Sequence, residues 1–406
     1  MVQVGTMTDP AGRLQIQIAA SANGTSVRLG SSRPVAAARL FVGRDAASAV
    51  RLLPSLFSVC SVAQSSACAA ALEEAAGQPA PHSVQVRRVR LLAAEALREH
   101  LWRILLDWPL ALGEGPADQA MRDVMGRFGR WRSALTQGGD PLQPHPWRAA
   151  DEDDGRSAAS EAAQREALEG LASLAAAQVL GRAPGAWLAE VGDAEALTAW
   201  AARGDTLAAR LVRRLLEAGW GGLGRCGVPP LPPPERAVLA ARLSGAAADD
   251  FVGRPSWAGQ VRETSPFTRN LSQPLIAELV GRFGNGLVTR LAAQLVEIAR
   301  LLADPDSLRE SHGMAGEDAV GLPHGVGMGL VPAARGLLVH RLALADDRLV
   351  DYRILAPTEW NFHPQGVVAS GLAALVDAAG ADADWLGRLF VIAVDPCVPF
   401  DLSFVG

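Results

Sequence analysis

Two thiols near opposite ends of the chain are the side chains best suited to chemistry in this sequence. Cys397 sits in an Asp-Pro-Cys turn within "DPCVPFDLSFVG" (395–406), and Cys60 has a similar setting within "PSLFSVCSVAQSSACAAALEEA" (54–75). A thiolate is a soft ligand suited to zinc, copper(I) or iron–sulfur chemistry, but neither cysteine has a second one at metal-cluster spacing. No pair shows the C-x-x-C pattern of structural zinc, and four cysteines in 406 residues are not a disulfide framework. Cys226 and Cys68 read as small buried apolar residues. Cys68 follows Cys60 by about two helical turns and shares its face roughly, but alanines surround it and packing explains it. Gln64, one turn after Cys60, is placed to donate to its thiolate. Shared chemistry therefore requires a fold that joins Cys60 to Cys397.

The histidines offer less. His100 reads as a buried helix contact, His340 and His82 as structural, and His324 and His363 as loop residues. The glycine-rich "GLPHGVGMGL" (321–330) does not follow a strand of a βαβ unit, so it lacks the context of a nucleotide-binding loop.

The elements that must position these residues are legible in outline. Leu14, Ile16 and Ile18 alternate with polar neighbours, Asn23-Gly24 signals a tight turn, and Val27 and Leu29 resume the alternation, so 13–29 is expected to be a hairpin. Helices are expected over 60–76, ending at Gly77, and over 84–108, stopped by Pro109. Others are expected over about 157–180, 193–218, 235–247, 270–303, 366–380 and 382–393. "RGLLVHRLALADDRLVDYRIL" (335–355) reads as strand, acidic turn at Asp346-Asp347 and strand, followed by a loop, "APTEWNFHPQG". The middle, 138–255, holds an acidic loop (138–160) and a stiff polyproline-like spacer (227–236).

Composition sets bounds. About half the residues are apolar, enough for a large core. Net charge is −5 with no basic tract, so nucleic acid is not an expected partner. The first ten residues have neither a basic region nor an apolar one, which points to a cytoplasmic location. Leu52 to Leu72 is uncharged, but Pro54, Gln64 and its serines make it a buried core helix rather than a membrane span. The expected class is α+β: a mostly helical core with small β-sheets from the N- and C-terminal segments.

In order along most of its length, the chain resembles the large subunit of nickel–iron hydrogenases. "GRLQIQIAASANGTSVRLGSS" is similar to that family's N-terminal hairpin. "VGRDAASAVRLLPSLFSVCSVAQSSACAAALEEA" resembles its Gly-Arg-Asp segment, first C-G-x-C motif and following helix, and "VRLLAAEALREHLWRILLDWPLAL" its next long helix. "ETSPFTRN", "PAARGLLVH", "APTEWNFHP" and "DPCVPF" resemble its Gly-Pro-Leu-Ala-Arg segment, Glu-Ala-Pro-Arg-Gly loop, Pro-Thr-Thr-Trp-Asn loop and closing D-P-C-x-x-C. Residues 138–255 match poorly and are shorter than the family's middle section, within what is expected to be one large-subunit-like domain over 1–406.

The departures from that pattern decide what the resemblance implies. Four family thiolates hold nickel, and two of them bridge to an iron carrying cyanide and carbon monoxide. Here those positions hold Phe57, Cys60, Cys397 and Phe400. The two histidines near them become Gln64 and Ser403, and the proton-transfer acid falls on Ala38. Two thiolates and two rings cannot replace a four-sulfur nickel site, so neither nickel nor hydrogen turnover is expected, and the rings read as apolar filling. Arg335 aligns with the arginine that contacts one cyanide, and Thr358 lies in the segment that approaches the other. Arg335→Leu is expected to lower iron loading without unfolding the chain.

That combination is similar to maturation proteins of the HupK/HoxV type. It implies a non-catalytic scaffold that carries an Fe(CN)2(CO) group, held by Cys60 and Cys397 with Arg335, Thr358 and Gln64 beside it. The implied partners are a small iron-assembly chaperone and the apo hydrogenase large subunit. The chain ends soon after the closing motif, without the C-terminal extension of hydrogenase precursors, as expected where no nickel is inserted. The alternative is a metal-free mimic of the large subunit that organises assembly through protein contacts.

Overall fold

The structure, a computed structural model, describes residues 12–21, 24–145, 158–310 and 321–405. Asn23, the first ten residues, and 146–157 of the acidic loop lie outside the described residues.

The expected N-terminal hairpin is present. Strands β1 (Leu14–Ser21) and β2 (Gly24–Ser31) pair antiparallel, and Leu14, Ile16 and Ile18 point into the core as their alternation requires. The chain's last strand, β6 (Phe400–Phe404), adds in parallel to β1, with Leu14 opposite Phe400. The order β2-β1-β6 therefore seats the Asp-Pro-Cys turn beside the first strands of the protein.

The uncharged stretch from Leu52 to Leu72 is not one helix. It divides into α1 (Ala46–Leu56) and α2 (Ser61–Ala75), with Phe57 to Cys60 in the break. Asp45 caps α1 by accepting from the Ser48 amide at 2.8 Å. α3 (His82–Trp102) runs on through a wider turn, Arg103–Asp107, into α4 (Trp108–Ala111). Pro109 thus does not stop the helical path. The wide turn starts a new segment whose first residues need no intrahelical amide donor.

α5 (Asp118–Thr136), which was not among the expected helices, is followed by α6 (Ala158–Ala175) and α7 (Pro184–Glu190). The helix expected over 193–218 is two, α8 (Ala194–Arg203) and α9 (Leu207–Glu217), because the Thr206 hydroxyl caps a fresh start. α10 (Arg236–Arg242) and α11 (Ala248–Gly253) follow the polyproline spacer. The helix expected over 270–303 is likewise interrupted. α12 (Pro266–Arg269) and α13 (Pro274–Phe283) precede a Gly-Asn-Gly break, and the buried α14 (Leu287–Ala303) follows it.

The second sheet is β3 (Val326–Ala333), β4 (Gly336–Ala345) and β5 (Arg348–Leu355), all antiparallel. The expected acidic turn is present, made by Asp346 and Asp347 as a left-handed pair with φ of +50° and +60°. α15 (Pro357–Asn361) occupies part of the expected loop, and α16 (Val367–Ala379) and α17 (Ala383–Val394) lead to β6.

β3 is the strand that the glycine-rich stretch conceals. It packs directly on α2, so closely that a Cβ at Gly329 would lie 1.9 Å from the Ala67 carbonyl oxygen, and one at Gly327 1.9 Å from that of Ala71. Alanines on α2 meet glycines on β3, and backbone touches backbone. Gly329→Ala should force the two apart and cost about 3 kcal/mol, read as a shift in urea midpoint. A loss below about 1 kcal/mol would show that this contact is adjustable.

Candidate functional site

Cys60 is the N-cap residue of α2, and its side chain makes no capping bond. A helix start leaves amide donors without partners. Here Glu95 of α3 supplies the acceptor, taking the Val62 amide at 2.9 Å and the Ala63 amide at 3.0 Å. The end of α2 is thereby fixed without using the thiol. Burial pushes the Cys60 thiol up to about 12, with Cys397 and Glu95 adding to it and Arg335 and Gln64 opposing.

Cys397 is pinned from both sides. Leu14 donates its amide to the Pro399 carbonyl at 3.0 Å. Arg103 donates from Nε to the Asp395 carboxylate at 2.6 Å and from Nη2 to the Pro396 carbonyl at 2.7 Å. Asp395 adopts a left-handed backbone (φ +65°) that turns the chain out of α17. The Cys397 sulfur accepts from Arg33 Nη1 at 2.8 Å and lies 3.1 Å from the Thr358 hydroxyl. Arg33 also pairs with Glu359 at 3.4 Å. Sequence reasoning missed Arg33: it follows β2 in an unremarkable Ser-Arg-Pro stretch, and the β2-β1-β6 order is what brings it to Cys397.

Arg335 stands in the turn between β3 and β4. Arg269 holds that turn through the Ala333 and Ala334 carbonyls at 2.7 and 3.0 Å, and Asn361 donates to the Arg335 carbonyl at 3.3 Å. Asn361 also binds the Thr264 backbone in both directions. The segments "ETSPFTRN" and "APTEWNFHP" therefore act as a clamp on Arg335. Its side chain is buried and donates to Glu99 at 2.8 Å and Asp395 at 3.2 Å, while Nη1 has no partner. Burial lowers its pKa, but Asp395, Glu99 and then Cys397 more than offset that. The expectation that leucine at 335 would spare the fold is corrected here, because it would leave Glu99 and Asp395 without this guanidinium.

These residues meet. Cys60, Gln64, Arg335, Thr358 and Cys397 line one largely enclosed cavity of about 70 Å³, with Phe57 and Arg33 in its wall. A cavity needs roughly 10–15 Å³ of such space to admit one water, so this one has room for a few water-sized groups. Phe400 is elsewhere. It begins β6 and lines a more open neighbouring cleft, which shares Arg335 and Cys397 with the cavity and includes the exposed Trp102 and Met125. Phe57 alone of the two rings is in the cavity wall.

The other candidates fall into ordinary structure. His100 is buried with Nε2 3.0 Å from Glu297, which Arg269 also holds. His363 accepts from the Gln365 amide at 3.0 Å, and His324 is exposed in a turn. Among the described residues, no three His, Cys, Asp or Glu side chains are grouped to hold a metal ion, and no helix is long and apolar enough to cross a membrane.

No protein-family model matches the chain. Curated relatives do, over most of its length. It is 34% identical to hydrogenase expression/formation protein HoxV of Cupriavidus necator, covering 93% of this chain and 92% of that protein. It is 33% identical to the HupK protein of Bradyrhizobium diazoefficiens over 90% of this chain and 89% of that one, and 32% identical to HupV of Azotobacter chroococcum over 97% and 99%. Among solved structures, the Ni-Fe-Se hydrogenase of D. vulgaris Hildenborough superposes with a TM-score of 0.59 at 15% identity, covering 93% of this chain and 94% of that one. That of Desulfomicrobium baculatum gives 0.51 at 13% identity, over 93% and 94%. At such identities the structures speak for the fold, which is the expected α+β, hydrogenase-large-subunit-like one.

Glu95 yields a pH test of this site. Burial raises its carboxyl from the ordinary 4.5 to about 7, against the pull of Arg98 and the two amides. Between those values the folded chain keeps a proton that the unfolded chain has lost, so stability falls as pH rises through the window. From pH 5 to 8, the native chain should lose about 2.5 kcal/mol more than Glu95→Gln, measured by urea denaturation. Parallel profiles for the two proteins would show that this carboxyl ionises freely when folded.

Proposed function

The chain belongs to the hydrogenase expression/formation proteins of the HoxV, HupV and HupK kind, and we propose that it is a non-catalytic scaffold that carries an Fe(CN)2(CO) group toward an apo hydrogenase large subunit. The observation that carries this reading is a cavity of about 70 Å³ that joins two thiols from opposite ends of the chain to a buried, unpartnered guanidinium nitrogen.

Each part of the cavity has a fitting role. Thiolates at Cys60 and Cys397 would bind the iron through Fe–S bonds. Cyanide nitrogens need donors, since burying them bare costs a few kcal/mol each. Arg335 Nη1 is a free charged donor, and the Thr358 hydroxyl is a neutral one. Arg33, already on the Cys397 sulfur, would stabilise that thiolate by a charge-assisted bond. The two thiols are too few for a nickel site, but sufficient for an iron that brings three ligands of its own.

Transfer in this reading is ligand exchange. Fe–S bonds to this chain break as bonds to the acceptor's thiolates form, and the iron keeps its oxidation state and diatomic ligands. Loading would come from a small iron-assembly chaperone. Cys60 stands where the bridging, iron-contacting thiolate stands in the resembled family, so it is the primary ligand, with Cys397 supporting it.

Infrared spectra of the purified protein separate the carrier from a metal-free mimic, because cyanide and carbonyl stretches absorb where protein does not. Cys60→Ala should remove these bands and stop hydrogenase maturation in cells, and Cys397→Ala should leave a fraction of both. Full maturation with Cys60→Ala would overturn the carrier reading. Arg335→Lys keeps a charge among the acids but loses the fork. It should weaken retention of the group by about 2 kcal/mol, roughly thirtyfold. Undiminished bands after prolonged dialysis would remove Arg335 from the site. Nickel should wash out with a chelator, and one nickel retained per chain would contradict the two-thiolate site.

A further inference from the structure

Behind Cys60 the structure holds a buried line of polar side chains that carriage of a metal group does not by itself require. Gln64 Nε2 lies 3.7 Å from the Cys60 sulfur, a long contact, and its Oε1 is 2.9 Å from His340 Nε2. The other ring nitrogen of His340, Nδ1, is 2.8 Å from the Tyr352 hydroxyl. Burial raises the pKa of both that phenol and the Cys68 thiol, and the thiol acts on the hydroxyl, which raises the phenol's pKa further and draws the thiol's down. Cys68, Tyr352 and His340 are fully buried, and Gln64 nearly so.

We propose that Cys68, Tyr352 and His340 are positioning residues that lock the Gln64 carboxamide with its N–H toward the Cys60 sulfur. A neutral imidazole has one donor and one acceptor, so the identity of one neighbour fixes the other. Burial alone takes His340 down to about 3, which leaves the ring neutral, and it pushes Cys68 up to about 12, which keeps its S–H. A neutral imidazole nitrogen is a stronger acceptor than a thiol sulfur, so with Cys68 kept neutral beside it the Tyr352 O–H donates to His340 Nδ1. That forces the ring proton onto Nε2, which donates to Gln64 Oε1 and leaves the amide N–H to face Cys60. Every bond in the line has the same direction, so each polarises the next.

The fold builds the line deliberately in space. Gly329 stands opposite His340 in the β3–β4 ladder, on the face that touches α2. With no side chain at 329, the imidazole alone spans from the sheet to Gln64 on the helix. The proposal deepens the iron-carrier reading, since a hydrogen bond to a ligand sulfur tunes its electron donation, but the geometry it asserts exists in the metal-free protein.

The first measurement is therefore made without iron. Nitrogen NMR of the native chain should show His340 as the Nε2–H tautomer. An Nδ1–H signal overturns the proposal, whatever any variant does. Tyr352→Phe keeps the ring and removes the lock, so His340 should become a mixture of tautomers. Alkylation of Cys60 by iodoacetamide, followed by mass spectrometry of the peptide, should then slow several-fold, because the N–H that stabilises its thiolate is no longer held. His340→Leu should slow it at least as much, and His340→Gln, whose amide N–H can replace Nε2–H, should restore part of the rate. Equal rates in all four proteins would assign the line a packing role only. In iron-loaded protein, Tyr352→Phe should shift the carbonyl stretch to lower frequency, as a sulfur freed of its donor pushes more charge onto iron. Absence of iron bands in every protein would remove the cargo and leave the tautomer and alkylation results to judge the line.

Discussion

The close contact of β3 with α2 is the constraint on which the rest of the site depends. A strand can approach a helix to backbone contact only where side chains are absent on one partner and small on the other. Gly327 and Gly329 meet the Ala71 and Ala67 carbonyls in this way. Because β4 pairs with β3, the same contact sets the height of His340 above Gln64, and the β3–β4 turn then delivers Arg335 to the end of α2 where Cys60 stands. Cys397 arrives independently, from the other sheet, where β6 joins β1. The cavity is thus the meeting point of two sheets and the N-terminus of one helix, and its two thiols are positioned by separate parts of the fold.

Charge around the cavity is arranged in nearly balanced sets. Arg335 and Arg103 share Asp395, Arg98 and Arg335 share Glu99, Arg103 reaches Asp107, and Arg33 pairs with Glu359. Buried pairs of this kind gain little net stability over an apolar replacement, but breaking one exposes an uncompensated ion to a low-dielectric interior. Their value is geometric. Asp395 must be held in its left-handed turn for Cys397 to face inward, and the two guanidiniums on its carboxylate hold it there. Arg335 is therefore both a structural cation and, through Nη1, a free donor, which is why its role cannot be isolated by simple truncation.

Much of this was legible in the sequence, for physical reasons that differ by residue. Alternation in β1, the apolar run of β4 and the Asp346-Asp347 turn are local signals, and they hold. The breaks at Phe57–Cys60, Gly204–Thr206 and Gly284–Gly286 were blurred because apolar periodicity continues across them, although Thr206 and the paired glycines were available as markers. β3 was concealed because its glycines answer to a helix far away in sequence, so alternation fails where tertiary contact is tightest. Cys60, Cys397, Arg335, Thr358 and Gln64 were picked out by resemblance to a known pattern, and the structure gathers them around one cavity. Arg33 was not singled out, and His340 was read only as structural. Each looks unremarkable locally, and only strand order gives Arg33 its thiol and His340 its glutamine.

The same features bear on how firmly a carrier of this design would hold its cargo. Around the cavity, Arg33, Arg98, Arg103 and Arg335 are matched by Glu359, Glu99, Asp107 and Asp395, and the Cys60 thiol, at about 12, is protonated at neutral pH. A ferrous iron with two cyanides and two thiolates has a net charge of −2, so loading in the proposed carrier would expel a proton from Cys60 and place anionic charge in a balanced interior. Each unit by which a thiol's pKa exceeds the ambient pH subtracts about 1.4 kcal/mol from its apparent metal affinity. Against this stand the Fe–S bonds and the donors Arg335 Nη1, Arg33 and Thr358. An acceptor with four thiolates would offer more bonds for the same iron, and this chain would recover its proton and its charge balance on release. In the proposed carrier, weak retention would follow from having two thiols where the resembled enzymes have four, and it would favour passage in one direction.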